Sequence, residues 1–128
     1  MSHPTTTDPR PHVAKGPDGQ LHVDGRHCRS CGEVSALAWP RCPACRGTVE
    51  PAAFGPDGTV WCSTIVRIPV PGRTPPYALA YVDLDDGPRV LAHVTDDGVP
   101  VDEPVLIGSR VRLAGLSLDG DLRVELLR

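Results

Sequence analysis

The sequence has few lysines, and it has no long run of apolar residues. Apart from Lys15 every positive side chain is an arginine, and the formal net charge is −3. A lysine-rich arm that would neutralise phosphates is therefore missing, which disfavours nucleic acid as a partner. No apolar run approaches the roughly 20 residues that a membrane span requires, and residues 1–20 contain no apolar segment typical of export signals. We expect a cytoplasmic protein that makes no membrane contact.

The length and composition leave room for little more than one domain. The chain has 128 residues, of which 40% are hydrophobic and 23% charged, values typical of a folded soluble protein with at most one additional small module. Residues 1–20 contain four prolines and show neither a helical nor an alternating apolar pattern. We therefore predict a flexible N-terminal segment over residues 1–20.

Four of the five cysteines form two C-x-x-C pairs, with the spacing Cys28-x2-Cys31-x10-Cys42-x2-Cys45. Zinc prefers a tetrahedral set of thiolates, and each tight corner supplies two of them. Disulfides, four free thiols and an iron site of rubredoxin type are the alternatives, but a reducing compartment and the short spacer favour zinc. Because four thiolates leave zinc no open position, the predicted site is structural. We predict a zinc ribbon over residues 21–50.

Neighbouring residues in the ribbon have predicted supporting roles. Gly32 follows the first corner, where it is expected to relieve crowding by a Cβ atom, and Pro43 pre-sets the backbone of the second corner. His22 and His27 are nearby candidate ligands. We expect them to be solvated neighbours, since the four thiolates already complete the metal shell.

From Gly58 onward the apolar residues recur with period two, which predicts β-strands. Strict alternation along the first strand would place Cys62 and Thr64 on the same face as Val60. The Asp119-Gly120 dipeptide suits a type I′ hairpin. A long first strand and a long connection between the third and fourth strands match the OB-fold, a small Greek-key barrel. We predict an all-β protein with an N-terminal four-cysteine zinc ribbon and a five-stranded OB-fold barrel over residues 51–128, its strands near residues 60–68, 77–84, 89–95, 110–118 and 121–127.

No catalytic residue is predicted. Cys62 is expected to be a small buried side chain, because no motif places a histidine or an acid beside it. His93 alternates with apolar neighbours on a strand and is given no role. The pairs Asp85-Asp86 and Asp96-Asp97 each precede a glycine, and turn formation accounts for them.

The charge of the barrel argues against the single-stranded nucleic acid that many OB-folds bind. Such binding requires a basic groove with stacking aromatic rings. From residue 51 onward there are eleven acidic and seven basic side chains, a net of −4, and four aromatic residues. Arg67, Arg73 and Arg89 are candidates for contact with a phosphate of coenzyme A, with ordinary solvated arginines as the alternative.

Several short motifs follow one another in an informative order. They are Cys28-Arg-Ser-Cys31-Gly32, Pro40-Arg41-Cys42-Pro43-Ala44-Cys45, Gly58-Thr59-Val60-Trp61, Pro71-Gly72, Pro76-Tyr77, Asp85-Asp86-Gly87-Pro88-Arg89 and Ile107-Gly108-Ser109-Arg110-Val111. Over residues 21–128 this order resembles the zinc-ribbon (rubredoxin-like) plus OB-fold proteins that accompany thiolase-like enzymes. Many members of that family have an amphipathic helix before the first cysteine, which residues 1–20 lack.

The resemblance implies an accessory role. Members are generally non-catalytic partners of thiolases, of thiolase-like aldolases in sterol side-chain breakdown, of hydroxymethylglutaryl-CoA synthase-type enzymes, or of polyketide acyltransferases. The ribbon would dock on the enzyme, and the barrel would lie near the route of the acyl-CoA pantetheine arm.

We therefore predict a non-catalytic accessory subunit of a thiolase-superfamily enzyme that acts on acyl-CoA. It would stabilise the complex and help to form the acyl-CoA site. The coordinatively closed cysteine set and the rigid proline-rich lip at residues 69–76 favour such a role. The alternatives are a free-standing OB-fold module that binds coenzyme A derivatives or single-stranded nucleic acid, and an enzyme that uses Cys62 or His93.

Overall fold

The computed structural model describes residues 10–128, and every regular element within them is a β-strand. The strands form one sheet of four and one of six. This confirms the predicted all-β class. No helix in the described part of the chain is long and apolar enough to cross a membrane.

The first sheet is built around one central strand. It contains β1 (His12–Lys15), β2 (Leu21–Cys28), β3 (Val34–Ser35) and β4 (Val49–Phe54). Strand β2 pairs antiparallel with β4 along one edge and with β1 and β3 along the other. We call this sheet, with its cysteine turns, the ribbon.

Two predicted boundaries of the ribbon are corrected. Strand β1 pairs with β2 from His12↔Asp24 to Lys15↔Leu21, so the predicted flexible segment is wrong for residues 12–15. Strand β1 is only four residues long, which is too short to show an alternating apolar pattern in the sequence. Residues 1–9 of that predicted segment lie outside the described residues.

The other corrected boundary is the end of the ribbon, which lies at Phe54 rather than at residue 50. Strand β4 pairs with β2 from Cys28↔Val49 to Val23↔Phe54. Pro51 pointed to a connector, but β4 pairs only with β2 among the described strands, and an edge strand tolerates a proline.

The second sheet closes into a barrel. Its order is β10-β9-β5-β6-β7-β8, and an additional parallel pairing joins β10 to β7. Five long strands therefore form a closed ring in the order of an OB-fold, which confirms that prediction, and the unpredicted β8 adds only two residues at an edge. The strands are β5 (Asp57–Val66), β6 (Tyr77–Leu84), β7 (Arg89–Asp96), β8 (Val99–Pro100), β9 (Arg110–Leu116) and β10 (Leu122–Leu126).

A β-bulge at Trp61 reverses the faces of the first barrel strand. Val60 pairs with Val82, but the next pair is Cys62↔Tyr81, so Trp61 is an extra residue. Beyond it Ser63 faces the interior, where its hydroxyl donates a 2.8 Å hydrogen bond to the Val105 carbonyl. The prediction that Cys62 shares the face of Val60 is therefore wrong, because one inserted residue moves every later side chain to the opposite face.

The hairpin between β9 and β10 also differs from the prediction. A type I′ turn needs positive φ at both central residues, but of Asp119 and Gly120 only the glycine has one, at 85°. Ser117 and Asp121 close a three-residue loop through a 2.8 Å bond from the Ser117 amide to the Asp121 carbonyl.

One hydrophobic core joins the two sheets. Val23 of β2 and Phe54 of β4 are buried in the same cluster as the barrel residues. Phe54 is its only phenylalanine, and its ring lies where a side chain on Gly87 would be, 2.9 Å from an ideal Cβ. The members of the cluster that the barrel contributes have small or branched side chains. They are Val60, Ala78, Ala80, Val82, Leu84, Val90, Ala92, Val94, Val105, Val111, Leu113, Leu122 and Val124.

We expect Phe54→Ala to destabilise the whole protein by about 3–5 kcal/mol, because it leaves a cavity where the ribbon meets the barrel. The measurement is urea unfolding followed by far-UV circular dichroism. Leu118→Ala is the matched control, since Leu118 lies fully exposed at the β9–β10 hairpin, and its effect should stay within about 0.5 kcal/mol. Equal midpoints for the two variants would contradict a shared core.

Candidate functional site

The first cysteine corner follows directly from the end of β2. The Cys28 amide donates to the Glu33 carbonyl at 2.8 Å, and the Gly32 amide donates to the Cys28 carbonyl at 3.1 Å. These two bonds fold residues 28–33 into a tight turn. The amides of Ser30 and Cys31 point at the Cys28 sulfur, at 3.4 and 3.5 Å.

The second corner repeats the bonding pattern of the first. The Cys42 amide donates to the Gly47 carbonyl at 3.1 Å, and the Arg46 amide donates to the Cys42 carbonyl at 2.8 Å. The Ala44 amide lies 3.4 Å from the Cys42 sulfur, and the Gly47 amide 3.3 Å from the Cys45 sulfur. Two unrelated stretches of sequence thus build the same sulfur-binding turn.

The glycine of the first corner adopts a backbone conformation that other residues rarely adopt. Gly32 has a φ of +80°, and an added Cβ would meet no atom within 4 Å, so the predicted relief of crowding is wrong. Arg46 occupies the equivalent position of the second corner with a φ of 64°. The turn therefore requires a left-handed residue at this point, and glycine supplies it without strain.

The two corners bring four sulfur atoms together. The Sγ atoms of Cys28 and Cys45 are 3.5 Å apart, those of Cys31 and Cys42 are 3.6 Å apart, and all four lie within 4.8 Å of one another. Tetrahedral zinc with Zn–S bonds of about 2.3 Å places its sulfurs about 3.8 Å apart. The donor set and its spacing therefore fit a tetrahedral thiolate-bound metal ion.

Without a bound cation, deprotonation of more than one of the four thiols is unfavourable. The backbone amides of Cys31 and Ser30 hold the pKa of the Cys28 thiol down at about 6, against the opposing effect of burial. At Cys31 the amide of Glu33 acts in the same direction, yet the neighbouring sulfurs and burial raise the pKa to about 12. One thiolate forms readily and further ones are opposed, so a cation is the natural counter-charge for this cluster.

Neither nearby histidine belongs to the sulfur cluster. His22 lies 3.3 Å from the Asp18 carboxylate, and His27 lies 3.2 Å from the Glu50 carboxylate. Glu50 also accepts from the Arg29 guanidinium at 3.0 Å. The histidines are thus carboxylate-bonded neighbours of the site.

The remaining residues singled out in the sequence are dispersed. Cys62 lies half-buried opposite Tyr81 on the outer face, with no histidine or carboxylate hydrogen-bonded to its sulfur in residues 10–128. Asp86 and Asp97 have φ values of 54° and 53°, which agrees with turn formation. Asp85 and Asp96 form ion pairs with arginines instead of a carboxylate dyad.

A second polar cluster, centred on Asp121, was missed by the sequence reading. The Asp121 carboxylate accepts hydrogen bonds from Nε and Nη2 of Arg73, both at 2.7 Å, and from Nη1 of Arg10 at 3.1 Å. Nε2 of His93 lies 3.4 Å from it, and the His93 ring stacks on Tyr77 with centroids 5.0 Å apart. The parallel β7–β10 pairing brings Asp121 beside His93. That pairing, a known feature of the OB-fold order, was the available signal.

Two curated relatives carry the name DUF35 domain-containing scaffold protein. The one from Methanothermobacter thermautotrophicus is 28% identical over 104 residues, which cover 75% of this chain and 78% of the relative. The one from Pyrococcus furiosus is 45% identical over 60 residues, 44% of each protein.

Solved structures share the fold over most of the chain. A structure described as the Ltp2-ChsH2(DUF35) aldolase matches with a TM-score of 0.65 and 24% identity, covering 82% of this chain and 84% of the other. A DUF35-family protein of unknown function from Sulfolobus solfataricus matches with a TM-score of 0.60 and 19% identity, covering 83% and 76%. At these identities the likeness establishes a common architecture.

The family profile described as the C-terminal OB-fold domain of ChsH2 matches residues 52–116, half of the chain. That stretch runs from within β4 through β9 and so contains most of the barrel. This agrees with the resemblance that the motif order indicates. The chain belongs to the ChsH2 C-terminal OB-fold family.

Proposed function

We propose that this protein is a non-catalytic accessory subunit of a thiolase-superfamily enzyme that acts on acyl-CoA. The observation that carries the proposal is an exposed strip of aromatic and aliphatic side chains across the outer face of the barrel. It consists of Trp61, Tyr81, Leu91, Leu106 and Ile107, and we call it the outer strip.

The outer strip is continuous across three strands and a turn. Tyr81 pairs with Leu91 on the next strand, and its ring lies 6.4 Å from that of Trp61 in an edge-to-face arrangement. The Leu106–Ile107 turn is bonded to the same strand as Trp61, because Gly108 donates to the Val60 carbonyl at 2.9 Å. Trp61 is 50% exposed and Ile107 77%. A contiguous apolar surface of this kind is typical of protein contact sites.

The composition of the outer strip favours a protein partner. Arg89 lies 3.7 Å over the Trp61 ring, and its charge is matched by the Asp83 carboxylate at 2.7 Å. Tryptophan, tyrosine and arginine are the residues that most often dominate binding energy at protein interfaces. The neutralised arginine adds contact area without attracting an anion.

The comparisons support the same role. Relatives are named scaffold proteins, and a DUF35 chain of similar fold is named together with Ltp2 in an aldolase. The resemblance of the motif order implies a thiolase-like partner, with acyl-CoA at the shared interface. In this proposal the partner supplies the reactive groups, and the barrel lies beside the acyl-CoA.

Catalysis by this chain itself lacks an assembled set of groups in residues 10–128. The Cys62 thiol has no base beside it, and the His93 imidazole faces a carboxylate and a tyrosine ring. A nucleophile needs an activating group within hydrogen-bond reach. This supports an accessory role over an enzyme that uses either residue.

We propose further that the four cysteines hold one structural zinc ion. Cys28 and Cys42 would be its buried ligands and Cys31 and Cys45 its exposed ones. Bound zinc would crosslink the two corners, and this chain's own amide groups already point at the sulfurs that it would bind.

We expect about one zinc per chain in the purified protein and none in Cys42→Ser/Cys45→Ser. Without the metal the ribbon turns should unfold, because about 30 residues cannot bury enough surface to fold alone. The measurements are metal analysis by mass spectrometry and amide hydrogen exchange of residues 28–47. Cys62→Ser is the matched control and should keep its zinc. A zinc-free double variant with protected ribbon amides would refute the structural role.

The tagged protein, purified from its native host, should retain a thiolase-like subunit in a fixed ratio, identified by mass spectrometry. Trp61→Ala should weaken that retention at least tenfold, since a central interface tryptophan contributes about 2 kcal/mol or more. Leu118→Ala, at an exposed apolar residue outside the outer strip, should retain the partner fully. Zinc content and urea midpoint must match in both variants.

Elution of the wild-type protein alone would overturn the accessory role. Elution with the partner in equal amounts for wild type and Trp61→Ala would leave the accessory role standing and exclude the outer strip as the interface.

Filter binding at low salt should show no retention of single-stranded DNA or RNA. Arg89, Arg110 and Arg112 are each paired with a carboxylate at 2.6 to 2.7 Å, so they offer no free charge to phosphates. Asp83→Asn/Asp85→Asn is the informative control, because it releases two arginines and should bind measurably. Wild-type retention that falls with added salt would favour the nucleic-acid module.

A further inference from the structure

A cavity of about 310 Å³ lies at one end of the barrel, apart from the cysteine cluster and the outer strip. Its walls are the loop after residue 71, strands β7 and β10, and the hairpin that joins β9 to β10. This volume is at the lower end of the range for small-molecule sites, about 300–1,000 Å³. Its charged lining residues are Arg73, Asp119, Asp121 and Arg123, and Thr74, His93 and Ser117 add neutral polar groups.

Positive charge is distributed unevenly over this cavity. Asp121 is paired with two arginines, because its carboxylate accepts hydrogen bonds from the Arg73 guanidinium and from Nη1 of Arg10. The Arg73 fork lowers the pKa of the Asp121 carboxyl, so this carboxylate stays ionised and engaged. It is not available to a third cation.

Arg123 has no such partner. It stands beside His93 in the parallel β7–β10 register, and its buried Nε makes no hydrogen bond within residues 10–128. The nearest acid on its own strand, Glu125, is engaged by the Thr95 hydroxyl and by the Gly98 amide at 3.1 Å. A buried Nε–H group left without an acceptor is costly, because its lost hydration is not replaced.

The contrast with the other arginines of the barrel is informative. The arginines at positions 73, 89, 110, 112 and 128 each form an ion pair with a carboxylate. Arg123 lines a cavity and has none among the described residues. Arg67 also lacks a carboxylate partner in residues 10–128, but it is exposed and hydrated by solvent. Arg123 is therefore the unpaired barrel arginine that lies inside a ligand-sized space.

We propose that this cavity binds the oxyanion group, a carboxylate or a phosphate, of a small ligand, with Arg123 as its cationic anchor. The guanidinium presents a planar set of donors that matches either group. The Ser117 hydroxyl accepts from the Asp121 amide at 3.1 Å, so its own proton is free to donate, and the Thr74 hydroxyl lines the same space.

The remaining walls limit which part of a ligand fits where. Burial lowers the pKa of His93, so its ring is neutral at pH 7 and forms a flat wall stacked on Tyr77. The Asp119 carboxylate lies against Gly72, 3.3 Å from the position of an ideal Cβ there. A second anionic group near Gly72 would be repelled, so the ligand carries its oxyanion at the Arg123 end and a neutral or donor group at the other.

The test is a titration of the zinc-loaded full chain, labelled with ¹⁵N, with inorganic phosphate and separately with acetate at constant ionic strength. Saturable shifts should appear in the amides of residues 72–74, 93–98 and 117–123. Arg123→Gln should weaken binding at least tenfold. The matched control Arg67→Gln, an arginine outside the cavity, should bind as wild type does.

Arg123→Lys guards against a folding artefact, since it keeps the charge without the planar fork and should bind between wild type and Arg123→Gln. Tighter phosphate binding would assign a phosphorylated ligand, and tighter acetate binding a carboxylic acid. Absence of a saturable shift with either anion, or equal affinity in wild type and Arg123→Gln, would overturn the proposal. The result is independent of the accessory role, because no partner subunit is present in the sample.

Discussion

The parallel pairing of β7 with β10 is the constraint on which the rest of the barrel depends. It joins Arg123, Val124 and Glu125 to residues 93–95 and closes a ring whose other contacts are antiparallel. Closure leaves a barrel no free edge at this seam and encloses a core of valine, alanine and leucine that is short of aromatic bulk. The same pairing sets Asp121, Arg123 and His93 side by side on the outer surface. The polar cavity is thus a consequence of barrel closure, because His93 is 28 or more positions from Asp121 and Arg123 in the chain.

The ribbon depends on the barrel through a few side chains and on its cysteines for the rest. Val23 and Phe54 extend from β2 and β4 into the barrel core. The segment from Cys28 to Val49 contributes no buried member to that core, and only its partly buried Val34 and Ala36 pack against it. Two turns with the same backbone hydrogen bonds position the four sulfurs with little help from hydrophobic packing. A crosslinking ion at their centre would stabilise these turns, as burial of apolar side chains stabilises the barrel, and this supports a structural role for the proposed zinc.

Local patterns in the sequence predicted most of the fold but not the contacts between distant elements. The C-x-x-C corners and the period-two strands each depend on a few consecutive residues, and the predicted strands hold at β6, β7 and β10. The bulge at Trp61 could not be predicted from the sequence, because a residue is extra only relative to the strand with which its own strand pairs. Strand β1 exists through its pairing with β2, and the Asp121 cluster through barrel closure. The four sulfurs were predictable as a set because spacing alone constrains them, whereas Arg123 became a candidate only when Asp121 and Glu125 were found to be engaged by other groups.

The outer strip and the cavity are adjacent, and this links the two proposals physically. Leu91 of the strip and His93 of the cavity wall are two residues apart on β7, on the same outward face, and their cross-strand partners are Tyr81 and Leu79. A second cavity of about 330 Å³ is lined by Leu91, His93, Tyr77 and Arg73 and spans the distance between them. A protein seated on the strip would therefore cover this passage and exclude water from the anchored ligand. Removing water strengthens the attraction between Arg123 and an oxyanion, so partner and ligand should each favour the binding of the other, and by linkage to the same degree.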